Sequence, residues 1–404
     1  MAVTGIGVKT PAGSDLDSFW STLLAGRATA GRIQRFDPGD LPVQFGCEVL
    51  DFDPVPYLGP KESRRMDRAT QLGFAAAADA IADAGDIGGD PARCAVMSGT
   101  GIGGLSTMED GIETYITRGP SRISPFFIPM MMPNATAGVI SMHYGWTGPN
   151  LCITTACAAG SNAIGEAARL IREGSADVVV AGGTEAPVTP VSLAAFGRMG
   201  ALSTRNDDPG HASRPFDADR DGFVIGEGAA YLVLERLDRA QARSARIYAE
   251  FAGYGRNADA YHITAPSPGG IGAAACMQLA LDDAGLASSD IAHVNAHGTS
   301  TPLNDAAEAE AIHKVFGDNP PPVMSVKGVT GHLVGAAGAT EAAAAILAIR
   351  SGTVPPTANF EKLGHDIALD VIAGAPREIG PGPVISNSFG FGGHNSSLVF
   401  TPAP

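Results

Sequence analysis

The sequence predicts an α/β protein in which parallel strands alternate with helices that cover the faces of the sheet. Three observations carry this prediction. Apolar strand-like runs alternate with segments of helical spacing along the chain. The run Ala176–Ala181 (ADVVVA) is continuously apolar, as in strands buried on both faces. Finally, 52 glycines among 404 residues suit close packing of helices on sheets. This length suggests two domains, and we predict an N-terminal half at 1–245 and a C-terminal half at 246–404.

The composition excludes several classes of protein. Hydrophobic residues make up 45% and charged residues 17%, which indicates a globular chain. A net charge of −15 argues against nucleic acid and against anionic membrane surfaces as partners. The five cysteines form no C-x-x-C pair, so neither a disulfide framework nor a zinc site is indicated. Without a signal-peptide pattern or an apolar run of spanning length, we expect a soluble cytoplasmic protein.

The elements of the first half can be assigned in order. They are a strand at Ala2–Val8, a helix ending at Leu24, a helix over Lys61–Ala84, a strand at Arg93–Met97, a strand and helix within Leu151–Gly174, strands at Ala176–Ala181 and Ala229–Glu235, and a helix at Leu237–Ala245. Glycines after Leu24 and Ala84 mark helix ends.

The second half follows the same strand–helix logic. Strands are predicted at Ile247–Gly255, Ile291–Ala296 and Val323–Val326, with a final pair bracketing Ser386–Leu398, and helices at Gly270–Ala284, Asp305–Phe316 and Leu333–Arg350. In both halves a strand ends in a reactive-looking turn. This suggests an internal duplication, although no residue-level repeat is visible in the sequence.

A basic stripe stands out in this acidic chain. If 61–84 is one helix, four cations share a face at spacing i, i+3, i+4, i+7: Lys61, Arg64, Arg65 and Arg68. Such a stripe can dock an anionic partner. The alternative is an ordinary solvated face, partly neutralised by Glu62 and Asp67.

Two further segments invite a functional interpretation. Ser98–Gly104 (SGTGIGG) is a glycine-rich turn after a strand, but it lacks the spacing and the Lys-Ser/Thr ending of a nucleotide-binding loop. Ser124–Asn134 (SPFFIPMMMPN) is apolar and broken by prolines. We interpret it as a buried loop that lines an apolar pocket or a subunit contact; simple core packing is the alternative.

Cys157 lies where a strand changes into a helix. Ile153–Thr155 is β-branched, the next residues are all small, and helical spacing begins at Ile164. The positive end of a helix and its unpaired N–H groups favour a thiolate, which attacks carbonyl groups. The sequence therefore suggests a nucleophile, with a buried structural cysteine as the alternative.

Polar residues in the second half could complete the site. His297 and Lys327 follow strands directly, so they can share a crevice with Cys157 at the carboxyl ends of the strands. His332 precedes the Ala-rich helix, where a neutral imidazole is favoured and can donate an N–H to an enolate oxygen. Lys327 could pair with Glu308 to fix the site. A backbone N–H near Phe391, in the turn GFGGHN, could form an oxyanion hole with that of Cys157. The alternative is that these are separate structural residues.

Four motifs in order carry a resemblance to a known family. TTACAAGSNAIGEA, NAHGTST, SVKGVTGHLVGAAGATE and SNSFGFGGHN resemble those of the elongating β-ketoacyl-acyl-carrier-protein synthases. Further similarity lies in VTGIG, RISPFFIP, ALSTRND and SRPFDADRDGFVIGEGA, so it covers nearly the whole chain. The resemblance implies a thiolase-like five-layer αβαβα sandwich of two similar halves, usually dimeric. It also implies decarboxylative condensation of a cysteine-bound acyl group with a malonyl unit on acyl carrier protein.

The resemblance also implies roles for individual residues. The catalytic set is Cys157 as nucleophile, His297 and His332 acting on the malonyl unit, Lys327 and Glu308 as a supporting ion pair, and Phe391 as a gate. The substrate set is Ile102 and Phe196 at the wall of the acyl cavity, with Thr299 and Thr301 as pantetheine contacts. The patch for the acidic carrier protein comprises Lys61, Arg64, Arg65 and Arg122, to which the stripe adds Arg68. Residues at positions that hold a structural monovalent cation in some relatives are Asn295, Glu341, Ser386 and Asn387.

The expected partners follow from the same resemblance. Substrates arrive on the phosphopantetheine of acyl carrier protein, so no other cofactor is required. The second subunit is another copy of the chain or a chain-length-factor-like ketosynthase. His394 stands where family members often have Thr, and the MMMPN segment differs from many fatty-acid enzymes. Two segments, VTGIGVKTPAG and RNDDPGHASRPFD, resemble those of ketosynthases from polyketide systems. The segment HGTST resembles that of the fatty-acid type.

Three alternative functions can be distinguished. A non-catalytic partner subunit would lack the nucleophile, which is present here as Cys157. A coenzyme A-dependent thiolase would carry a second catalytic cysteine in the GFGGHN region, and none is there. A cysteine hydrolase does not need two histidines together with a lysine.

Overall fold

A computed structural model describes all 404 residues. The strands are β1 (Ala2–Lys9), β2 (Gly31–Arg32), β3 (Phe45–Gly46), β4 (Cys94–Gly99), β5 (Asn150–Ile153), β6 (Val178–Glu185), β7 (Gly228–Glu235), β8 (Ala249–Ala258), β9 (His293–Asn295), β10 (Val323–Met324), β11 (Thr353–Val354), β12 (Arg377–Glu378), β13 (Val384–Gly390) and β14 (His394–Thr401). The helices are α1 (Leu16–Leu24), α2 (Val55–Ser63), α3 (Arg68–Ala84), α4 (Leu105–Arg118), α5 (Phe127–Met131), α6 (Ala135–Tyr144), α7 (Ala159–Arg172), α8 (Pro190–Met199), α9 (Leu237–Ala242), α10 (Ile271–Ala284), α11 (Pro302–Phe316), α12 (Lys327–Thr330) and α13 (Ala337–Ser351).

Ten strands form one mixed sheet in the order β10-β9-β13-β14-β8-β1-β7-β6-β4-β5. Five of them come from β1–β7 and five from β8–β14, and the two sets join where β1 pairs with β8 over two residues. In each set the strands toward the outer edge of the sheet are parallel, as in β6–β4–β5 and β13–β9–β10. The predicted α/β class is therefore confirmed, with antiparallel pairs added at β1–β7 and β13–β14.

The helices and the two sets of strands form five layers. The helix α3 packs on β1, β7 and β6, while α10 packs on β8 and β14. Between the two sets of strands, α7 and α13 contact each other as well as β6 and β13. Their apolar side chains belong to one buried cluster that includes Ile164, Ala168, Ala343 and Ile346. This is the αβαβα order that the family resemblance implies.

The two halves repeat at the level of single residues. In β1, a Cβ added to Gly7 would lie 2.0 Å from the carbonyl oxygen of Ala76 in α3. In β8, a Cβ added to Gly255 would lie 2.1 Å from the carbonyl oxygen of Cys276 in α10. Glycine is therefore required at both positions because the helix backbone packs directly on the strand. The strand motif is Gly-x-Gly in both halves.

The end of each outer helix repeats as well. The Asp83 carboxylate accepts a hydrogen bond from the Ile6 N–H at 3.0 Å, and the Asp283 carboxylate accepts one from the Tyr254 N–H at 2.9 Å. Both aspartates belong to the sequence Asp-Ala-Gly, with the glycine ending the helix at positive φ. The expectation of a duplication without a residue-level repeat is thus corrected, because short motifs are repeated at equivalent places.

The predicted helix over 61–84 is wrong in one respect. The chain forms two helices, α2 and α3, and they are separated by residues 64–67. Asp67 caps the second helix by accepting a hydrogen bond from the Ala69 N–H at 2.9 Å. The cap forces a new helix to start at Arg68, so the four basic residues do not share one helical face.

Segment 124–134 also differs from its prediction as a buried loop. It contains the short helix α5, and Phe126, Ile128 and Met132 are exposed. Because these side chains lie on the surface of the single chain, core packing does not explain the apolar character of the segment. No helix of the structure combines the length and the hydropathy that crossing a bilayer requires.

Candidate active site

Cys157 lies in a single 3₁₀ turn, Ala156–Ala158, between strand β5 and helix α7. The turn begins with Ala156 in the left-handed region at φ 49°. This conformation is unusual for a residue with a Cβ and marks a constrained turn. The small residues that follow let α7 begin at once, so that the thiol sits at the helix N-terminus, as predicted. Its residue is 9% exposed.

The C-terminal half contains an equivalent turn beside His332. Val334 is in the left-handed region at φ 47°, a 3₁₀ turn spans Val334–Ala336, and α13 follows directly. The sequence Ala-Cys-Ala-Ala-Gly at 156–160 corresponds to Val-Gly-Ala-Ala-Gly at 334–338. Each final glycine lets the two central helices approach closely: a Cβ on Gly160 would lie 2.9 Å from Ala339 N, and one on Gly338 would lie 3.0 Å from Ser161 N.

Three reactive groups meet at the floor of one cavity. The Cys157 Sγ and one ring nitrogen each of His297 and His332 lie within 4.8 Å of one another. The two imidazole rings are 5.4 Å apart between centroids and meet edge to face. The cavity above them has a volume of about 550 Å³. The strand ends and the two turns thus bring together side chains that are distant in the sequence.

The hydrogen bonds of the two imidazoles fix their tautomers. His332 Nδ1 accepts from the backbone N–H of Val334 at 3.2 Å. His297 Nδ1 lies 3.2 Å from Lys327 Nζ, an ammonium that can only donate. In a neutral imidazole whose Nδ1 accepts, the proton resides on Nε2. Both rings therefore present an Nε2–H donor.

Lys327 pairs with Glu341 rather than with the predicted Glu308. Its Nζ donates to the carboxylate of Glu341 and to the backbone carbonyl of His297, and all these groups are buried. The carboxylate of Glu308 instead accepts from the backbone N–H groups of His297 at 2.8 Å and Gly298 at 2.7 Å. Glu308 therefore holds the backbone of the His297 turn, while Lys327 holds its imidazole.

Burial controls the protonation of the reactive groups. It lowers the pKa of both His297 and His332 well below the usual value, and the nearby Lys327 charge acts in the same direction, so both rings are neutral at pH 7. For Cys157, burial raises the pKa of the thiol to about 11, although Lys327 and the Phe391 N–H lower it. This loss of solvation opposes the expected shift toward the thiolate.

Two backbone N–H groups face the space beside the sulfur. The N–H of Phe391 is directed at the Cys157 Sγ, and the N–H of Cys157 has no acceptor within the chain. A Cβ on Gly390 would lie 3.1 Å from Cys157 N and 2.7 Å from the Thr155 oxygen. The glycine leaves this N–H accessible, which is the geometry of an oxyanion hole.

The residues predicted for the wall, the pantetheine contacts and the gate all line the cavity: Ile102 and Phe196, Thr299 and Thr301, and Phe391. Two aromatic residues that the sequence reasoning missed hold the imidazoles. Phe223 meets His332 edge to face at 5.2 Å between centroids, and Phe389 meets His297 at 5.9 Å. Phe223 lies in the quoted motif SRPFDADRDGFVIGEGA and Phe389 beside the predicted gate, but neither spacing indicated a contact with histidine.

The basic residues divide into two groups. Lys61, Arg64 and Arg122 are exposed, and Arg65 lies over the Phe126 ring at 4.6 Å, beside the segment that carries Arg122. Arg68 is different, because its guanidinium makes hydrogen bonds of 2.6 and 2.7 Å to the buried carboxylate of Glu227. Arg68 is therefore a structural ion pair and does not belong to the exposed patch.

The four residues proposed for a cation lie together beneath the cavity. Asn295 Nδ2 donates to the Glu341 carbonyl and to Ser386 Oγ, both at 3.0 Å. Asn387 binds Ser397 through its Oδ1 at 2.8 Å. Two buried oxygens of the group, Asn295 Oδ1 and Glu341 Oε2, have no hydrogen-bond donor. Unpaired hard oxygens of this kind suit an alkali cation.

Comparisons with known proteins identify the family. The chain matches the model of the β-ketoacyl synthase N-terminal domain over residues 1–240 and that of the C-terminal domain over residues 248–361. The chain belongs to the β-ketoacyl synthase family. Its members are acyltransferases that form carbon–carbon bonds, and this chain is one of these enzymes.

Similar proteins cover the whole length of this β-ketoacyl synthase. The 3-oxoacyl-[acyl-carrier-protein] synthase 2 of Synechocystis sp. is 48% identical, over 99% of this chain and 97% of its own. That of Coxiella burnetii is 46% identical, over 99% and 98%. Among solved structures, the ishigamide ketosynthase/chain length factor matches with a TM-score of 0.94 and 37% identity, over 100% of this chain and 99% of the other. The structure AntDE:AntF, a type II polyketide synthase acyl-carrier protein in complex with its ketosynthase, matches with a TM-score of 0.91 and 32% identity, over 100% and 99%. These likenesses agree with the thiolase-like fold.

Proposed function

We propose that this β-ketoacyl synthase condenses a cysteine-bound acyl group with malonyl-[acyl-carrier-protein], releasing CO₂. The observation that carries the proposal is the meeting of the Cys157 sulfur with two imidazole nitrogens within 4.8 Å at the floor of a cavity. A thiol supplies the covalent intermediate, and two neutral N–H donors stabilise a concentrated negative charge. The acyl chain lies along Ile102 and Phe196, with the pantetheine arm beside Thr299 and Thr301.

The first half-reaction transfers the acyl group to Cys157. The sulfur attacks the thioester carbonyl of the incoming carrier, and the N–H groups of Cys157 and Phe391 bind the oxyanion that forms. The carbon–sulfur bond to pantetheine then breaks, and the leaving thiolate takes the proton that Cys157 has lost. Burial raises the pKa of the Cys157 thiol, so loss of its proton is part of the cost of the attack.

The second half-reaction uses the imidazoles. The thioester oxygen of the malonyl unit accepts hydrogen bonds from Nε2–H of His297 and His332. As the carbon–carbon bond to the carboxylate breaks, CO₂ leaves and its electron pair forms an enolate whose oxygen these donors hold. Lys327 keeps His297 in the donor tautomer, and the Val334 N–H does the same for His332.

The enolate carbon then attacks the acyl carbonyl on Cys157. The same two N–H groups hold the second oxyanion, the carbon–sulfur bond to Cys157 breaks, and the thiolate recovers a proton from solvent. One acyl and one malonyl unit thus give one 3-oxoacyl product and one CO₂. Removing one donor from such a site typically costs about 3–4 kcal/mol of transition-state stabilisation.

Intact-mass analysis tests the proposed function. The chain mixed with acyl-carrier protein should gain the mass of one acyl group on Cys157, and addition of malonyl-carrier should remove it while a 3-oxoacyl-carrier appears. An acyl enzyme that releases only free acid would indicate a hydrolase. A chain that takes up no acyl group would indicate a non-catalytic partner subunit, and use of acetyl-coenzyme A as the second substrate would indicate a thiolase.

The residues Asn295, Glu341, Ser386 and Asn387 fit a structural monovalent cation. Two buried oxygens without donors, Asn295 Oδ1 and Glu341 Oε2, support this assignment. The ion would supply charge neutralisation under the His297 turn, since Glu341 also pairs with Lys327. Thermal stability should rise in K⁺ or Na⁺ relative to a bulky organic cation at equal ionic strength; equal melting temperatures would contradict the assignment.

The exposed basic residues Lys61, Arg64, Arg65 and Arg122 form the proposed docking patch for an acidic carrier protein. Opposite charges raise the association rate and orient the carrier, an effect that salt screens. Arg64→Glu with Arg122→Glu should raise KM for the carrier substrates by roughly tenfold and weaken its salt dependence. Arg350→Glu, in the last turn of α13 and thus far from the cavity, is the matched control. Equal effects of the patch and control variants would contradict the patch.

A second ketosynthase-type chain is the proposed subunit partner. Strand β5 lies at the edge of the sheet and carries Leu151, 52% exposed, near a surface that includes Met142 at 76% and Ile116 at 74%. Large apolar groups at an unpaired edge are typical of an interface. Light scattering of the purified chain should give twice the chain mass. A monomer that dimerises only with a paralogous chain would establish the heterodimer instead.

A further inference from the structure

Glu185, at the end of β6, is a buried carboxylate that the proposed mechanism does not use. It is 1% exposed, and five donors surround it. One oxygen, Oε1, accepts from the Thr100 hydroxyl at 2.8 Å and from the backbone N–H groups of Ile102 at 3.1 Å and Gly103 at 3.3 Å. The other oxygen, Oε2, accepts from the N–H groups of Gly101 and Gly335, the latter at 3.0 Å. Burial raises the pKa of this carboxyl, whereas the five converging donors favour its charged form.

This arrangement explains the glycine-rich turn SGTGIGG. Three consecutive N–H groups, those of residues 101–103, converge on one anion, as in the backbone nests that bind phosphate. The anion here is internal. A Cβ on Gly101 would lie 2.9 Å from Glu185 Oε2, so glycine is needed for the close approach. The carboxylate therefore fixes the loop that places Ile102 in the cavity wall.

The same carboxylate fixes the turn that follows His332. Val334 is β-branched, and its φ of 47° is strained for such a residue. The next N–H, that of Gly335, is held by Glu185. The N–H of Val334 itself donates to His332 Nδ1 and sets its tautomer. The orientation of His332 thus depends on a strained turn whose anchor is Glu185.

The equivalent turn of the first half shows which group stands in place of Gly335 and its hydrogen bond to Glu185. Gly335 occupies in the second turn the place of Cys157 in the first. The N–H of Cys157 has no partner in the chain, whereas the N–H of Gly335 is capped by a carboxylate oxygen. A Cβ on Gly335 would lie 2.5 Å from that oxygen, so a side chain cannot coexist with the cap.

We propose that Glu185 is a positioning residue for the condensation: its carboxylate, which caps the Gly335 N–H in the turn equivalent to that of Cys157, holds His332 and the Ile102 loop in place. The inference rests on the proposed function, and concerns the malonyl half-reaction. Glu185 touches neither the substrate nor the sulfur. Its loss should therefore impair decarboxylation, which needs the His332 donor, while the attack of the thiol does not need it.

Loss of the Glu185 charge should have a second effect, which favours the Cys157 thiolate. The carboxylate is one of the groups that raise the pKa of the Cys157 thiol, after burial itself. Replacing it by neutral glutamine should therefore move the pH midpoint of Cys157 alkylation downward. A merely structural role predicts no such shift, since a loosened site would slow alkylation and decarboxylation together.

The test compares Glu185→Gln with wild type in two assays. The amide group keeps the size but leaves two or three of the five donors without an acceptor. Decarboxylation of malonyl-carrier, followed as CO₂ release, should fall by roughly tenfold to hundredfold in kcat with KM within about twofold. Alkylation of Cys157 by iodoacetamide should keep its maximal rate, with a lower pH midpoint.

Glu235→Gln removes another buried carboxylate, at the end of β7 and paired with Arg239 and Arg243, and should leave both assays unchanged. If Glu185→Gln does not fold, Glu185→Asp, which retracts the charge from the turns, is judged by the same two assays. Decarboxylation within threefold of wild type, or equal losses in both assays, would overturn the role of Glu185. Failure of the wild-type enzyme to condense would instead count against the proposed function, and the alkylation midpoint would still test the charge.

Discussion

The turns at Cys157 and Gly335 have the same backbone and opposite chemistry. Each starts with a residue at positive φ, continues as a 3₁₀ turn and leads into a central helix. The first presents a thiol and an unpaired N–H to the cavity. The second has glycine in the thiol's place, and its N–H is capped by Glu185. The same backbone turn thus presents the proposed nucleophile in one half and, in our proposal, anchors His332 in the other.

The reactive side chains divide along the same line. The first half contributes the proposed nucleophile Cys157 and Glu185, whereas both imidazoles, Lys327 and Phe391 belong to the second. Acyl transfer and decarboxylation can therefore be separated by substituting Cys157 in one half and the imidazoles in the other. The comparison teaches that duplication supplies the scaffold, and single residues at equivalent places decide the chemistry.

The largest expected effect comes from removing the thiol. Cys157→Ala should abolish acyl-enzyme formation and lower condensation by at least about 10⁴-fold, because no other cysteine lines the cavity. Decarboxylation of malonyl-carrier should persist within about tenfold, since the Nε2–H donors remain. Intact mass and CO₂ release measure the two effects. Simultaneous loss of CO₂ release in a folded variant would show that the halves are not separable.

Obstructing the backbone N–H of Cys157 should impair both half-reactions. In Gly390→Ala the added Cβ would lie 3.1 Å from Cys157 N, which obstructs the proposed oxyanion hole. Acylation and condensation should each fall by about 10²–10³-fold, the typical effect of one lost donor. Pre-steady-state acylation kinetics measure this. Gly31→Ala, where a Cβ would meet nothing within 4 Å, is the control. Wild-type acylation in Gly390→Ala would refute the oxyanion assignment.

The repeat itself can be tested by stability. Gly7→Ala and Gly255→Ala each place a Cβ against a helix carbonyl, at 2.0 and 2.1 Å, in equivalent strands. Each should lower the free energy of unfolding by about 1–3 kcal/mol or more, because the helix must move away from the strand. Urea midpoints of the two variants should agree closely. A large effect at one glycine and none at the other would show that the halves pack differently.

Much of the fold and of the candidate site could be predicted from the sequence. The features that could not be predicted depend on contacts between distant parts of the chain or on single local hydrogen bonds. The strand-to-helix step at Cys157 and the polar groups after the strands follow from local periodicity, which is strong at those places. The partner of Lys327 does not, because Glu308 and Glu341 are both buried acids and only the packing of α13 selects Glu341. The single helix expected over 61–84 failed at the Asp67 cap, where a local hydrogen bond overrides the basic spacing.

Two other features required coordinates. The Cys157 pKa depends on how completely the sulfur is buried, which no motif states. The residue repeat is hidden because Gly-x-Gly and Ala-Ala-Gly are common sequences. Only their identical contacts, such as those of Asp83 and Asp283, show that they are equivalent.

A smaller effect concerns a histidine without a counterpart in the first half. His293, in β9, is buried with both ring nitrogens unpaired, and burial lowers its pKa to about 3. At a pH below 6.5, the pKa of histidine in the unfolded chain, the unfolded chain binds a proton that the folded chain does not. Stability therefore decreases as the pH decreases. The loss is about 1.4 kcal/mol for each pH unit from this group.

His293→Leu should remove that contribution. The variant should unfold at higher urea concentration than wild type at pH 5, by more than at pH 7, because an unpaired polar group and its proton linkage are both eliminated. The buried His297 and His332 also make stability decrease at acid pH, but they do so equally in wild type and variant. Their contributions therefore cancel when the two proteins are compared. An equal pH dependence of the urea midpoint in wild type and variant would show that His293 finds a proton or a partner in the folded chain.

The division of labour between the halves is tested most directly by a single-turnover chase of His332→Ala. The variant is first mixed with acyl-carrier protein, then with malonyl-carrier, and intact mass and CO₂ are followed together. We expect the acyl adduct on Cys157 to form at a rate near that of wild type and to persist after the chase, with CO₂ release reduced by about 10²–10³-fold. A folded variant that forms no adduct, or one whose adduct is consumed at the wild-type rate, would contradict the account.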